Sequence, residues 1–173
     1  THKELTRDYH HKDASTRDLL LDAAKRVFAE QGFDGATVKA LADAAGVNVS
    51  LVSYYFGGKE GLYKTCLEQF GRERMATCER ILKPVETAED FRLRIEMFAD
   101  EFLRANLRDL HTCRILHRDL ETGSNPFAME IFTTAILPVF TRLVEFISSA
   151  QKAGVVRSTM DANEATVLMF GSL

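Results

Sequence analysis

The stretch that most limits what this chain can fold into is Thr37–Phe56, TVKALADAAGVNVSLVSYYF. Thr37 can cap a first short helix, whose small apolar residues let a second helix pack closely against it. Gly46 then supplies the left-handed residue with which helices commonly end, and Asn48 or Ser50 can cap the second helix. Two short helices joined by such a turn form a helix-turn-helix.

The second helix leaves mainly short or polar side chains exposed. Val52 and Phe56 lie four residues apart and can face inward. Short side chains let a helix approach base edges in the major groove, whereas tyrosines, lysines and helix N-termini hold phosphates. We therefore predict a DNA-binding surface that consists of Thr37, Asn48, Val49, Ser50, Ser53, Tyr54, Tyr55 and Lys59. The alternative is an ordinary helical hairpin with tyrosines at its edge.

The segment from Leu19 to about Tyr63 resembles the DNA-binding domain of the TetR family of bacterial transcriptional regulators. The matching positions are, in chain order, Gly32-Phe33, Thr37, Ala45-Gly46-Val47, Tyr55-Phe56, Lys59-Glu60 and Leu62. Two positions depart from the family pattern: Ser53, where many members carry tyrosine, and Asn48, where serine is commoner. Both lie on the groove-facing surface, so the operator sequence cannot be read from them. The run NVSLVSYYFGGKEGLY is most similar to the CecR-like branch.

The resemblance implies a homodimeric, ligand-responsive repressor that binds double-stranded operator DNA. It also implies a small apolar ligand and dimerisation through the last two helices. A DNA-binding architectural or assembly protein without a small-molecule ligand is the alternative from another class. A cavity in the C-terminal part would favour the ligand-responsive regulator.

The sequence predicts an all-α protein in three parts. Residues 1–13 show no helical apolar period and are expected to form a flexible arm. Residues 14–58 are expected to form a three-helix, helix-turn-helix DNA-binding domain whose first helix opens with a capping-box spacing at Ser15 and Asp18. Residues 59–173 are expected to form a helical ligand-binding and dimerisation domain. Its last helix is still running at Leu173, so we expect a truncated C-terminus.

Two features of this C-terminal domain concern how the parts communicate. A helical pattern from Lys59 to Leu82 would span roughly 36 Å at about 1.5 Å per residue, long enough to act as a lever, although a plain packed helix is the alternative. Pro138 lies inside a later helix and predicts a kink near Thr134–Pro138.

The C-terminal domain is rich in phenylalanine, which indicates either a solid core or an apolar pocket. The candidate pocket residues are Phe98, Phe102, Cys113, His117 and Phe132. Cys113 and His117 also lie four residues apart, so a metal site or a thiol nucleophile is conceivable. A buried stripe of Leu110, Cys113, His117 and Leu120 explains the same spacing more simply. Since the chain has no phosphate loop, CxxC pair, HExxH motif or nucleophile elbow, we predict neither an enzyme nor a bound metal or cofactor.

Charge and composition fit this interpretation without requiring it. The chain has a formal net charge of −3, and residues 1–60 carry eight cations and nine acids, so DNA affinity would depend on where cations are placed. No run of about 18 uncharged apolar residues and no signal-peptide core occurs. The three cysteines are then expected to be reduced, and the protein cytoplasmic without contact with a membrane.

Overall fold

The computed structural model describes residues 2–123, 125–157 and 159–171, with side chains from residue 15 to residue 170 outside those gaps. The described part is helical and contains no strand, as predicted. Its helices are α1 (His2–Gly35), α2 (Val38–Ala45), α3 (Ser50–Phe56), α4 (Lys59–Ile81), α5 (Ala88–Arg108), α6 (Leu110–Thr122), α7 (Ala128–Ile131), a π-helix (Phe132–Ile136), α8 (Leu137–Lys152) and α9 (Ala162–Gly171).

The chain divides into two compact units that differ from the domains expected from the sequence. The first unit comprises Thr1–Glu68 with His111–Ala128, and the second comprises Gln69–Leu110 with Met129–Leu173. The start of α4 and nearly all of α6 therefore belong with the helix-turn-helix. The sequence could not place α6 there, because the residues that dock it lie about 90 positions from their partners.

Helix α1 begins at His2, so the predicted start at Ser15 was wrong. Residues 2–13 contain neither glycine nor proline, and nothing in their sequence stops a helix. The flexibility of this arm stays a prediction. At its other end, α1 is interrupted at Gly32, whose φ of 73° and ψ of 175° are non-helical.

The core of the first unit joins α1 to the helix-turn-helix. Buried side chains come from α1, α2, α3 and α4, and they include Leu20, Ala24, Phe28, Leu41, Val52, Leu62, Tyr63 and Cys66. The ring of Phe28 meets Tyr63 edge-on at 4.9 Å, and Phe33 meets the same tyrosine at 5.0 Å. Phe33 thus folds back onto the unit just beyond Gly32.

The second unit has a core of apolar side chains from α4, α5, α8 and α9. Its buried members are Cys78, Ile81, Leu82, Val85, Phe98, Phe102, Val139, Leu143, Phe146, Ile147, Ala150 and Ala162. Burial raises the pKa of the Cys78 thiol to about 11. Two arginines bind the carbonyls where α4 ends: Arg94 donates to Ile81 at 3.0 Å and Arg142 to Leu82 at 2.8 Å. Cations at a helix C-terminus stabilise it by satisfying such carbonyls.

Near Thr134–Pro138, where a kink was predicted, the structure has the π-helix Phe132–Ile136. Pro138 has no N–H to donate, and Leu137 donates its own N–H to the carbonyl of Phe132, five residues back. Together the three segments make the run Ala128–Lys152, which is long and apolar enough to cross a membrane by length and composition alone. Val139, Leu143, Phe146 and Ile147 of this run are buried in the core of the second unit.

Gly71 of α4 faces the π-helix at a distance that excludes any side chain. A Cβ built there would overlap the carbonyl oxygen of Ala135 and lie 2.8 Å from its Cβ, and both atoms belong to the same unit as Gly71. Nothing in the residues around Gly71 indicates this contact, since glycine within a helix indicates only a cost in propensity.

We expect Gly71→Ala to lower the free energy of unfolding by about 1–3 kcal/mol, as overpacking in a filled interior does. Urea unfolding of the variant and the parent measures the difference. Gly35→Ala is the matched control, because its Cβ would make only an ordinary contact, 3.5 Å from Cβ of Gln31. An unchanged stability of Gly71→Ala would contradict the close packing of α4 on the π-helix.

Candidate nucleic-acid interface

Helix α2 begins and ends as its sequence predicted. Thr37 is extended (φ −100°, ψ 152°), and its Oγ1 accepts a hydrogen bond from the N–H of Ala40 at 3.0 Å. Gly46 is left-handed (φ 67°, ψ 33°), and the next residue, Val47, donates its N–H to the carbonyl of Ala42 at 3.0 Å. The turn of the helix-turn-helix therefore closes on the glycine.

Asn48 rather than Ser50 caps α3. The Oδ1 atom of Asn48 accepts from the N–H of Ser50 at 2.9 Å and from its Oγ at 2.8 Å. Val52 is fully buried, and Gly57 ends the helix in a left-handed conformation (φ 71°) with its N–H bonded to Ser53 at 2.9 Å. The helix is therefore anchored on the inward face predicted for it.

Most of the residues predicted to bind DNA are exposed. Val49 is 49% exposed and Tyr54 is 74% exposed, and Thr37, Asn48, Ser50 and Ser53 are exposed as well. Tyr55 is partly buried, and its ring packs edge-on against Tyr54 at 4.9 Å. Their roles in binding DNA stay predictions, but the surface has the short side chains and tyrosine hydroxyls that a groove-binding helix needs.

Lys59, predicted to hold a phosphate, already has partners within the protein. Its Nζ donates to the carbonyl of Phe33 at 2.9 Å and lies 4.4 Å from the centre of the Phe33 ring. An ammonium group has three donors, so a phosphate contact is compatible with this position. The side chain nevertheless also ties the start of α4 to the end of α1.

Gly61 fixes α4 against the end of α3, and sequence reasoning missed it. A Cβ at Gly61 would overlap the carbonyl oxygen of Phe56, the last residue of α3. Only a residue without a side chain allows the first turn of α4 to approach that carbonyl. The orientation of α3 thus depends on α4 as well as on α1 and α2.

Helix α6 docks onto the same unit through an arginine that the sequence analysis did not single out. Arg118 donates from Nη1 to the carbonyl of Phe28 at 3.1 Å and from Nη2 to that of Ala29. These carbonyls lie in the last turn of α1 before the interruption at Gly32. Arg118 therefore joins α6 to the end of that turn.

Next to Arg118, a buried carboxylate joins α6 to α4. The hydroxyl of Tyr63 donates to Asp119, and Nδ2 of Asn125 donates to the same carboxylate at 3.1 Å. Burial is the main reason that the pKa values of both Tyr63 and Asp119 are raised. The hydrogen bonds from Tyr63 and Asn125 and the charge of Arg118 favour ionised Asp119 and partly oppose that shift.

The buried face of α6 differs from the predicted one. Thr112, Ile115 and Asp119 are buried, whereas Leu110 and Leu120 are 48% and 58% exposed, so the predicted stripe was wrong. Apolar periodicity favoured the wrong face because two of the buried residues are polar. His117 is exposed and lies 3.3 Å from Glu121. Among the described residues, no group of three or more His, Cys, Asp and Glu side chains could hold a metal ion.

Replacing Asp119 with asparagine should change how stability depends on pH. The raised pKa means that the folded protein holds this proton more tightly than the unfolded chain, so ionisation costs the parent stability as pH rises from about the ordinary value of 3.8. Asparagine cannot ionise. We therefore expect the stability of Asp119→Asn relative to the parent to increase with pH above about 4.

Urea unfolding at a series of pH values measures this difference. Asp18→Asn is the control, because it removes an exposed carboxylate from α1. A difference between Asp119→Asn and the parent that stayed constant with pH would contradict the burial of this carboxylate.

The five candidate pocket residues are divided between the two units. Phe98 and Phe102 belong to the core of the second unit, and Cys113 and His117 lie on α6 in the first. Phe132 lines a cavity of about 280 Å³ in the second unit. The other residues around this cavity are Leu137, Phe140, Thr141, Val144, Glu145, Asn163, Thr166 and Val167.

Residues 20–66 match the family described as bacterial regulatory proteins, tetR family. Among curated proteins, the chain is 28% identical over 135 residues to YttP of Bacillus subtilis, named as a probable HTH-type transcriptional regulator. It is 40% identical over 52 residues to AcnR of Corynebacterium glutamicum, named as an HTH-type transcriptional repressor. These matches cover 76% and 30% of this chain but only 64% and 28% of the length of the two relatives.

Solved structures share the fold beyond the matched domain. The fatty acid degradation regulator FadR from Bacillus halodurans has a TM-score of 0.72 at 21% identity, and the match covers 91% of this chain and 79% of that one. HlyIIR, described as a hemolysin II transcriptional regulator, has a TM-score of 0.63 at 21% identity over 92% of this chain and 85% of that one. At this identity the likeness concerns the fold alone.

Proposed function

We propose that this chain is a regulator of the TetR family, a DNA-binding transcriptional repressor that responds to a small apolar ligand. The observation that carries the proposal is the capped, exposed helix α3 within the segment that matches the family. The named relatives are transcriptional regulators or repressors, in keeping with a non-enzymatic function. A cytoplasmic location and membership of the CecR-like branch are part of the proposal.

In the proposed complex, α3 enters the major groove. Val49 and Ser53 would meet base edges, with Asn48 and Ser50 at the leading end of the helix. Tyr54, Tyr55, Lys59 and Thr37 would hold phosphates on either side. This division separates specificity from general affinity, because phosphate contacts carry no direct sequence information.

Variants at the two kinds of position should therefore behave differently. Tyr54→Phe and Lys59→Ala should weaken binding to all duplexes alike, whereas Val49→Ala and Ser53→Ala should change the sequences selected from a random duplex pool. Gel-shift titration and selection measure the two effects. Since Lys59 also contacts Phe33, its variant needs a thermal melt to show that the fold survives. Unchanged selection by both Val49→Ala and Ser53→Ala would contradict this docking.

A homodimer is the proposed DNA-binding form, because one short recognition helix needs a second copy to read a two-fold site. Apolar side chains of α9 support this proposal: Val167 and Leu168 are 64% and 60% exposed. The proposal concerns the full-length protein.

The cavity beside Phe132 is the proposed ligand site. Its walls are largely apolar, and Thr141, Asn163 and Thr166 add hydrogen-bonding groups at their edges. It adjoins the π-helix, where the helical hydrogen bonds are already rearranged around Pro138. A neutral amphipathic molecule with one polar end suits such a lining. Phe98 and Phe102 lie in the core of the same unit. Cys113 and His117, which were also predicted to line the ligand pocket, lie on α6 and do not line this cavity.

If the ligand causes the protein to dissociate from DNA, ligand binding and DNA binding should weaken each other. Linkage then requires operator DNA to weaken ligand binding by the same factor by which the ligand weakens DNA binding, typically about 5- to 150-fold. Calorimetric titration with 1-decanol, with and without a selected duplex, measures this coupling. Val144→Phe, which fills the cavity, is the control and should abolish decanol binding. Equal decanol affinity in both titrations would favour the architectural alternative.

A further inference from the structure

We propose that Arg17 is a further contact to the DNA backbone, held beside the end of α3 by the ring of Phe56. The inference rests on the proposed function and adds a residue that lies outside both the predicted surface and the family match, which begins at residue 20. Arg17 belongs to α1.

The placement of Arg17 follows from one contact. Its guanidinium carbon lies 5.1 Å from the centre of the Phe56 ring, and the side chain is half-buried. An arginine over an aromatic ring is held by its planar face, so the N–H groups around its edge stay available to acceptors. This arrangement positions a cation without using its donors.

The Phe56 residue whose ring lies beneath Arg17 is itself held in place. Phe56 is the last residue of α3, and its carbonyl lies against Gly61 of α4 so closely that no side chain fits between them. The ring of Tyr55 lies 6.3 Å from that of Phe56 and packs in turn on exposed Tyr54. Arg17 thus extends the row of tyrosines proposed to hold phosphates.

Charge indicates what Arg17 would bind. Among the side chains that the structure describes, no carboxylate forms an ion pair with Arg17, whereas many other arginines are paired with a carboxylate, such as Arg94 with Asp90 and Arg104 with Asp100. Residues 1–60 carry one more acid than cation, so each cation placed near α3 matters for attracting a polyanion. A phosphodiester accepts N–H donors from guanidinium groups well.

The test compares Arg17→Gln, which removes the charge, with Arg17→Lys, which keeps it. Affinity for a random-sequence 30-base-pair duplex is measured by fluorescence anisotropy between about 50 and 300 mM KCl. One lost phosphate contact lowers the slope of log K against log salt by about 0.9 per protomer. At 0.1 M salt that corresponds to a loss of roughly eightfold per contact. Arg157→Gln is the matched control, because it removes an exposed arginine from the second unit.

We expect Arg17→Gln to lower both slope and affinity, Arg17→Lys to restore the slope, and Arg157→Gln to resemble the parent. A parental slope in Arg17→Gln would overturn the inference, and a loss of thermal stability shared by both Arg17 variants, with no change in slope, would assign Arg17 to packing alone. If the parent itself showed no salt-dependent binding to any duplex, the proposed function would fail, and the inference with it. If the parent binds and only the Arg17 result is negative, the proposed function stands.

Discussion

The docking of α6 on the broken end of α1 is the contact on which the first unit depends. Gly32 interrupts α1 just after the turn that contains the carbonyls of Phe28 and Ala29. Arg118 binds both of them, and its charge lies where the helix dipole is negative. A side chain at Gly32 would crowd this guanidinium, since a Cβ there would lie 3.2 Å from Nη1. Gly32 thus both interrupts the helix and leaves room for the guanidinium of Arg118, which donates to the carbonyls of Phe28 and Ala29.

The neighbouring carboxylate extends this docking into the aromatic core. Asp119 accepts from Tyr63 and from Asn125, and Oδ1 of Asn125 accepts the N–H of Phe127 at 3.0 Å. That turn brings the Phe127 ring to 5.4 Å from Phe33. A buried carboxylate costs free energy compared with an apolar side chain, but its hydrogen bonds require defined partners at defined positions. The polar contacts therefore fix the orientation of α6, which apolar packing alone would leave loose.

Local signals explain which parts of this structure could be predicted from the sequence. Thr37, Gly46 and Asn48 act on residues within a few positions of themselves, so their roles follow from the sequence. Arg118 and Gly71 act on residues that are distant in the chain, and nothing near them in the sequence identifies those partners. For α6, the periodicity misled because Thr112 and Asp119 are buried polar residues, which a rule based on apolar spacing assigns to the solvent.

The path of the chain limits how an event in one unit can affect α3. The chain passes between the units at Glu68–Gln69, Leu110–His111 and Ala128–Met129. The first crossing continues helix α4, whose initial turn abuts Phe56 through Gly61. The other two enclose α6, which is held on α1 by Arg118. A displacement carried along α4 would act on the end of α3 directly, whereas one carried along α6 would act on α1 and reach α3 only through their shared core. Changes that weaken the contacts of Arg118 should therefore interrupt the second of these routes and leave the first intact.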